Sequence, residues 1–379
     1  MGGFSVEQIV ISGYYGLGNL GDEAVLAAIL QRLKGIWPGV EAVVLSGDPK
    51  ATHKEHGISA INRYNLKAFW VLLRRKGTIF ISGGGTLFQD VTSSRSLYYY
   101  LGLILLCRLC KVPVVVYGQG LGPFKYRRNC YFTGVTLKKT QFIMVRDSEA
   151  MEYCRGWGLG GKKVHLGGDP VLTLNPPAGE YKRDEYNLRE KFGLPAQGRI
   201  MLIALRAWPG LNSYLTQIAH FLDEMITRGW HVVAVPFQFD LDYPVALELA
   251  KQMHEHLYIW DKPLDVEGSL VVMEQGSYCV AMRLHALIFA ALENIPMAGI
   301  VYDPKVENFL NEIGMGDFAV PMQLQHGAEA KDLSNTLLDL VGQAEAQRES
   351  IIHRMQRRLE ILQVQVAEGD LLLSEALAN

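Results

Sequence analysis

Four side chains suited to an anion stand in the second half of the chain, each just past a short apolar run. Arg206 follows 201–205, Arg283 and His285 follow 278–281, and Lys305 follows 299–302. An arginine can grip a phosphate or carboxylate with two parallel N–H donors. A lysine acts as a point charge, and a histidine exchanges a proton near neutral pH. Leu284 opens an expected helix over 284–292, and the free N–H groups of a helix start favour an anion. Alone, each cation would read as a solvated charge and the histidine as a helix-end residue. Together, at the carboxyl ends of three separate strands, they read as the wall of a binding site.

The first half contributes glycine. Gly16-Leu-Gly-Asn-Leu-Gly21 fits the G-x-G-x-x-G dinucleotide pattern after a first strand at 8–12. Against a dinucleotide, Asp22 occupies the helix turn where a pyrophosphate would sit, and Asp48 lies beyond a turn rather than at the end of the second strand. An Asn19/Asp22 helix cap without a ligand explains the same residues. Gly83, Gly84 and Gly85 follow a second buried strand and lead to Asp90; a third loop, Gly118 to Gly122, precedes Pro123. Steric need explains any one of these loops. Three at successive strand ends suggest a floor shaped for a substrate.

The elements that must position these residues alternate in type. Strands are expected at 8–12, 42–45, 78–82, 112–117, 142–145 and 163–166, with helical segments between most of them. A second series starts at 199–205 and continues through 230–236, 257–260, 277–281 and 297–302. Such alternation specifies parallel sheets covered by helices on both faces. The Pro- and Gly-containing stretch 175–184 reads as a linker. The expected fold is α/β, two Rossmann-like doubly wound domains at 1–177 and 178–330 facing a crevice. A helical tail at 331–379 is expected to pack across them.

Composition narrows the function. The 379 residues carry a formal net charge of −2, too little basic surplus for a general nucleic-acid binder. Five scattered cysteines suggest a reducing compartment, and Cys107-x-x-Cys110 inside an apolar run reads as helix core rather than a redox or metal pair. His53-x-x-His56 and His254-x-His256 lack sequence neighbours for a metal and read as surface histidines. The apolar stretch 97–117 is interrupted by Arg108, Lys111 and Pro113, which gives a buried helix ending near Lys111 and then a strand, not a membrane span. A peripheral membrane contact stays open, as does the oligomeric state. No metal, cofactor or nucleophilic triad is expected.

Three segments together are more specific than any one glycine pattern: Gly13 to Ala24 with its G-N-x-G-D, Gly83 to Asp90, and Met282-Arg-Leu-His-Ala-Leu287. Across 9–314 the chain resembles the polysaccharide pyruvyl transferases, in particular the CsaB type of bacterial cell-wall polymer synthesis. The resemblance implies a fold like the GT-B glycosyltransferases. It implies transfer of pyruvate from phosphoenolpyruvate to a sugar as a cyclic ketal, with phosphate released. For the CsaB type it implies a lipid-linked saccharide acceptor containing N-acetylmannosamine, whose ketal anchors surface-layer proteins. Work at the cytoplasmic membrane face would follow.

Carried over, Arg283, Leu284 and His285 match the R-L-H motif, Lys305 the donor-binding lysine and Arg206 an arginine after the second domain's first strand. These form the expected donor side, with His285 as general acid. Asn19, Asp22, Gly83, Gly84, Gly85 and Asp90 are candidates for the acceptor, and Asp22 or Asp90 for the base on its hydroxyl. Three rivals remain: a nucleotide-sugar glycosyltransferase of the same architecture, with Glu293 or Glu307 on a ribose; a non-catalytic carbohydrate binder; and an NAD oxidoreductase.

Overall fold

The computed structural model describes residues 5–175, 183–322 and 333–378. Most of the expected linker (176–182) and the first two residues of the expected tail, 331 and 332, lie outside the described residues. Contacts divide the chain into two compact units. The first holds the described residues up to Leu17, 22–174 and 362–378; the second holds 18–21 and those from Asn175 to Ile361.

The first unit alternates β1 (Gln8–Ser12), α1 (Leu20–Ile36), β2 (Glu41–Ser46), α2 (Pro49–His56), β3 (Ser59–Asn62), α3 (Leu66–Leu73) and β4 (Thr78–Gly83). It continues with α4 (Ser94–Leu109), β5 (Val114–Gln119), α5 (Arg127–Leu137), β6 (Phe142–Val145), α6 (Ser148–Gly156) and β7 (Val164–Leu166). The seven strands form one parallel sheet in the order β3-β2-β1-β4-β5-β6-β7. Strands β1, β4, β5 and β6 are buried along their whole lengths, as their unbroken apolar runs require when helices cover both faces. One core joins Phe69 and Leu73 of α3, Leu97 to Cys107 of α4, Leu137 of α5 and Cys154 of α6 to the sheet, so α3 to α6 share a face. The α4 helix stops at Leu109, earlier than expected, because Lys111 turns left-handed (φ 59°) and Pro113 cannot continue a helix. Cys107 is core, as its apolar setting implied, and burial pushes its thiol well up.

The second unit comprises α7 (Leu188–Phe192), β8 (Arg199–Ala204), α8 (Asn212–Thr227), β9 (Trp230–Ala234), α9 (Phe239–Gln252), β10 (Tyr258–Ile259) and α10 (Val266–Glu274). Then follow β11 (Tyr278–Ala281), α11 (Leu284–Leu292), β12 (Met297–Val301), α12 (Pro304–Glu312), β13 (Ala319–Pro321), α13 (Leu333–Ala346) and the first part of α14 (Arg348–Ala378), whose residues from Leu362 onward belong to the first unit. Its parallel sheet runs β10-β9-β8-β11-β12-β13. In both sheets the order reverses beside the first strand, at β1/β4 and at β8/β11, which are the places where doubly wound sheets bind ligands.

The 31-residue α14 buries Ile351, Met355, Leu359, Leu362, Val366, Leu373 and Leu377, a stripe of three- and four-residue steps. Asp370 interrupts the stripe. It accepts from Tyr117 Oη at 2.5 Å and from Arg32 Nε at 2.6 Å, both within the first unit.

The glycine loop after β4 has a packing cause. Gly84 takes φ 63°, and a Cβ there would lie 1.8 Å from Val25 Cγ1 of α1. Gly84→Ala combines left-handed strain with overpacking, so denaturant unfolding should show a loss of about 2–4 kcal/mol.

Candidate functional site

The strand ends at the β8/β11 reversal bring the sequence-selected cations of the second unit to one edge. Ala204 pairs with Ala281, and Met282 N–H donates to the Ala204 carbonyl at 2.9 Å. Arg206 and Arg283 therefore emerge two residues beyond the same pair, on strands about 4.8 Å apart. On the next strand Ala281 pairs with Gly299, so Tyr302 and Lys305 follow at the same edge. Helix α11 begins at Leu284 with no side-chain cap, and the N–H groups of Ala286 and Leu287 turn back to the Arg283 carbonyl at 3.1 and 3.3 Å.

Arg283 is not the open cation that its strand-end position suggests. Only 8 % exposed, it meets Asp242 side-on, Nε to Oδ2 at 2.9 Å and Nη2 to Oδ1 at 2.5 Å, with Gln238 Oε1 3.3 Å from Nη2. Its formal charge is matched by Asp242, because an unpaired guanidinium cannot be kept this dry. The Nη1 donors stay on the other edge of the fork. Asp242 also accepts from Gln238 N–H at 2.8 Å, which fixes the turn between β9 and α9. Nothing in the sequence marked Asp242: it lies 41 residues from its partner.

Residues 18–21 of the glycine segment cluster with this second unit. Leu20 N–H donates to the Phe237 carbonyl at 3.0 Å, and Asn19 Oδ1 accepts from Gly21 N–H at 3.3 Å. A Cβ on Gly21 would lie 2.2 Å from His285 Nδ1. The glycine is thus the residue that lets the imidazole lie against the loop, and G-N-x-G-D and R-L-H are two sides of one contact.

Arg206 is held by aromatic residues. Its Nη1 donates to Tyr302 Oη at 2.6 Å, and its guanidinium carbon lies 4.8 Å from the Tyr302 ring centre and 5.3 Å from that of Trp208. The two rings are 4.7 Å apart. Lys305 Nζ lies 5.8 Å from the Tyr302 ring and 3.6 Å from Asp303, the N-cap of α12. Tyr302 and Trp208 were not selected from sequence, although each stands within four residues of a selected cation. An aromatic beside a strand-end cation was the available signal.

In the first unit the structure separates the acceptor candidates. Gly83 ends β4, and Gly84 and Gly85 follow it: Tyr15 Oη donates to the Gly83 carbonyl at 2.6 Å, and Asp22 Oδ1 would lie 3.2 Å from a Cβ on Gly85. Asp22 thus adjoins this loop. Asp90 departs from the expectation of a group open to a sugar. It is 4 % exposed and accepts from Lys125 N–H, Tyr126 N–H and Asn129 Nδ2, so it anchors the start of α5. His56 is likewise not a surface histidine. Its Nε2 lies 3.1 Å from Glu23 Oε2, both side chains are nearly buried, and Glu23 Oε1 accepts from Gly16 N–H at 2.7 Å. Glu23, Glu55 and His56 each bring one ligand atom within 4.8 Å of the others, a grouping that sequence spacing did not show.

The polysaccharide pyruvyl transferase family model matches residues 19–304, three quarters of the chain. The chain belongs to that family. Amylovoran biosynthesis protein AmsJ of Erwinia amylovora is 23 % identical over 266 residues, 64 % of this chain and 61 % of its own length. The chain thus spans under two thirds of that relative. Among solved structures, UDP-GlcNAc 2-epimerase of Neisseria meningitidis aligns with a TM-score of 0.61 at 12 % identity, over 92 % of this chain and 93 % of its own. A glycosyltransferase of Rickettsia africae aligns with a TM-score of 0.58 at 11 % identity, over 97 % and 99 %. The expected two-domain, GT-B-like α/β fold is therefore borne out.

Glu293 is the C-cap of α11, at the other end of that helix from Arg283 and His285. It is not placed to serve a ribose beside them; Glu307, in the first turn of α12, is nearer that edge. Burial, and after it Glu274, push the Glu293 carboxyl up to about 7, against a smaller opposing effect of Arg183. A raised carboxyl binds its proton longer in the folded than in the unfolded chain, so stability falls as pH rises from about 4.5 to 7. Glu293→Gln should match the parent at pH 4 and exceed its melting temperature at pH 8. For the buried pair, Asp242→Ala should cost about 3–5 kcal/mol in urea unfolding, and the joint change Asp242→Leu with Arg283→Met should recover most of it.

Proposed function

We propose that this pyruvyl transferase takes phosphoenolpyruvate as donor and forms a cyclic pyruvate ketal on a sugar, releasing phosphate. The observation that carries the reading is the strand-end edge of the second unit. Arg206 and Lys305 flank Tyr302 there, the fork of Arg283 has one edge left over, and α11 points its positive dipole end to the same edge. That set suits the carboxylate and phosphate of phosphoenolpyruvate.

Ketal formation proceeds from protonation of the vinyl C3, which leaves an oxocarbenium-like C2. One sugar hydroxyl adds to C2, the C2–O bond to phosphate breaks, and a second hydroxyl closes the ring; both hydroxyl protons are released. His285, held against Gly21, is assigned the proton delivered to C3 or to the departing phosphate. Asp22, beside Gly85, is assigned as base on an acceptor hydroxyl. Neither metal nor cofactor takes part in this scheme. The acceptor is proposed as a lipid-linked saccharide containing N-acetylmannosamine, handled at the cytoplasmic membrane face, and the ketal as an anchor for surface-layer proteins. These finer assignments draw support from the motif resemblance to the CsaB type.

Phosphoenolpyruvate should raise the melting temperature in a thermal-shift screen, whereas UDP, UDP-sugars and NAD should not. Stabilisation by a UDP-sugar alone would turn the reading to glycosyl transfer. His285→Ala should lower kcat about a hundredfold or more with the fold intact, and Arg206→Ala or Lys305→Ala should chiefly raise the KM for the donor. Acceptor-dependent phosphate release is the assay.

A further inference from the structure

Charge is unevenly distributed along this chain. Between Glu55 and Asp147 stand fourteen lysines and arginines and a single acid, Asp90, which is buried, although the whole chain carries −2. That stretch contains α3, α4 and α5, which share one face of the first unit's sheet. Helices α4 and α5 run side by side. Tyr98 Oη donates to Asn129 Oδ1 near their starts, and Arg108 Nη1 donates to the Lys139 carbonyl at their ends.

The outward surfaces of these helices are not the polar ones that water selects. On α4, Tyr98, Leu105 and Leu109 are 43, 44 and 78 % exposed, spaced to fall on one stripe. On α5, Tyr131 and Phe132 are 66 and 50 % exposed, between Arg127–Arg128 at its start and Lys138–Lys139 just past its end. On α3, Leu66, Trp70 and Val71 are exposed, followed by Arg74, Arg75 and Lys76. Apolar side chains grouped on three neighbouring helices and rimmed by cations mark a contact surface. Long basic side chains can lay their stems along hydrocarbon while their charges meet phosphates.

We infer that the α3–α4–α5 face docks on an anionic lipid surface. The charge excludes self-association through this face, which would set its cations against their own copies. The aliphatic Leu66, Val71, Leu105 and Leu109 fit the boundary of an acyl layer, and the aromatic Trp70, Tyr98, Tyr131 and Phe132 suit the headgroup level beside it. No helix among the described residues is long and apolar enough to cross a membrane. The inference rests on exposure and charge alone, independent of donor and acceptor.

Co-sedimentation of the full chain with vesicles tests it. Vesicles of phosphatidylglycerol and phosphatidylcholine in equal parts should bind the protein, and phosphatidylcholine alone should bind it weakly. Tyr131→Ser with Phe132→Ser, and separately Arg127→Glu with Arg128→Glu, should each lower the partition coefficient about tenfold or more. Trp70→Ser tests the same face from another helix. All should keep the parent melting temperature and full turnover of a water-soluble acceptor. Equal binding to both vesicle types, no binding, or binding indifferent to every variant would overturn the inference. So would a dimer in sedimentation velocity that these variants dissolve, or a single-stranded nucleic acid that binds the face as tightly as the vesicles. Vesicle binding requires neither substrate, so its failure is distinct from a failure of pyruvyl transfer.

Discussion

One carboxylate orders the candidate donor edge. Asp242 takes both side-on donors of Arg283 and the N–H of Gln238, so the turn after β9 and the turn after β11 are fastened at one point. The neighbouring carbonyl, Phe237, receives Leu20 N–H, and the next residue, Gly21, lies against His285. A charge pair this dry adds little net stability, since removing two ions from water offsets their attraction. Its contribution is to geometry: wrong arrangements of these turns leave a buried charge unmatched.

The same pairing divides the cations by duty. With Arg283 balanced by Asp242, the counter-charge for an anion resides mainly in Arg206 and in Lys305, whose Nζ also faces Asp303 at 3.6 Å. Tyr302 stands between them, bonded to one and beneath the other. Holding the guanidinium against two rings removes rotamer freedom before a ligand arrives. In the proposed reaction the donor would therefore meet cations already in place, while the developing positive C2 would be kept from an excess of fixed positive charge.

Much of the fold was legible because parallel strands buried on both faces write themselves as unbroken apolar runs, and β1, β4, β8, β11 and β12 are such runs. The strand-end cations and histidine were legible for the same reason, since a residue after a recognisable strand has a known position. What stayed hidden depends on separations of tens of residues. Asp242 is 41 residues from Arg283, His56 is 33 from Glu23, and Asn129 is 39 from Asp90. Each partner looks like an ordinary surface residue until the fold brings it to a buried one. Asp90 misled in the other direction, since a carboxylate after a glycine loop reads as ligand-facing until the backbone amides it serves are seen.

The first unit is not finished by its own stretch of chain. Its buried Tyr117 and its Arg32 both reach Asp370, which belongs to the end of α14 and arrives after the entire second unit. A ribosome therefore releases the amino-terminal sheet long before the residue that completes it. Until the last helix docks, that sheet waits with a phenol and a guanidinium lacking their acceptor. Translation order and assembly order are opposed in this chain, and a shortened carboxyl terminus would be felt at the opposite end of the sequence.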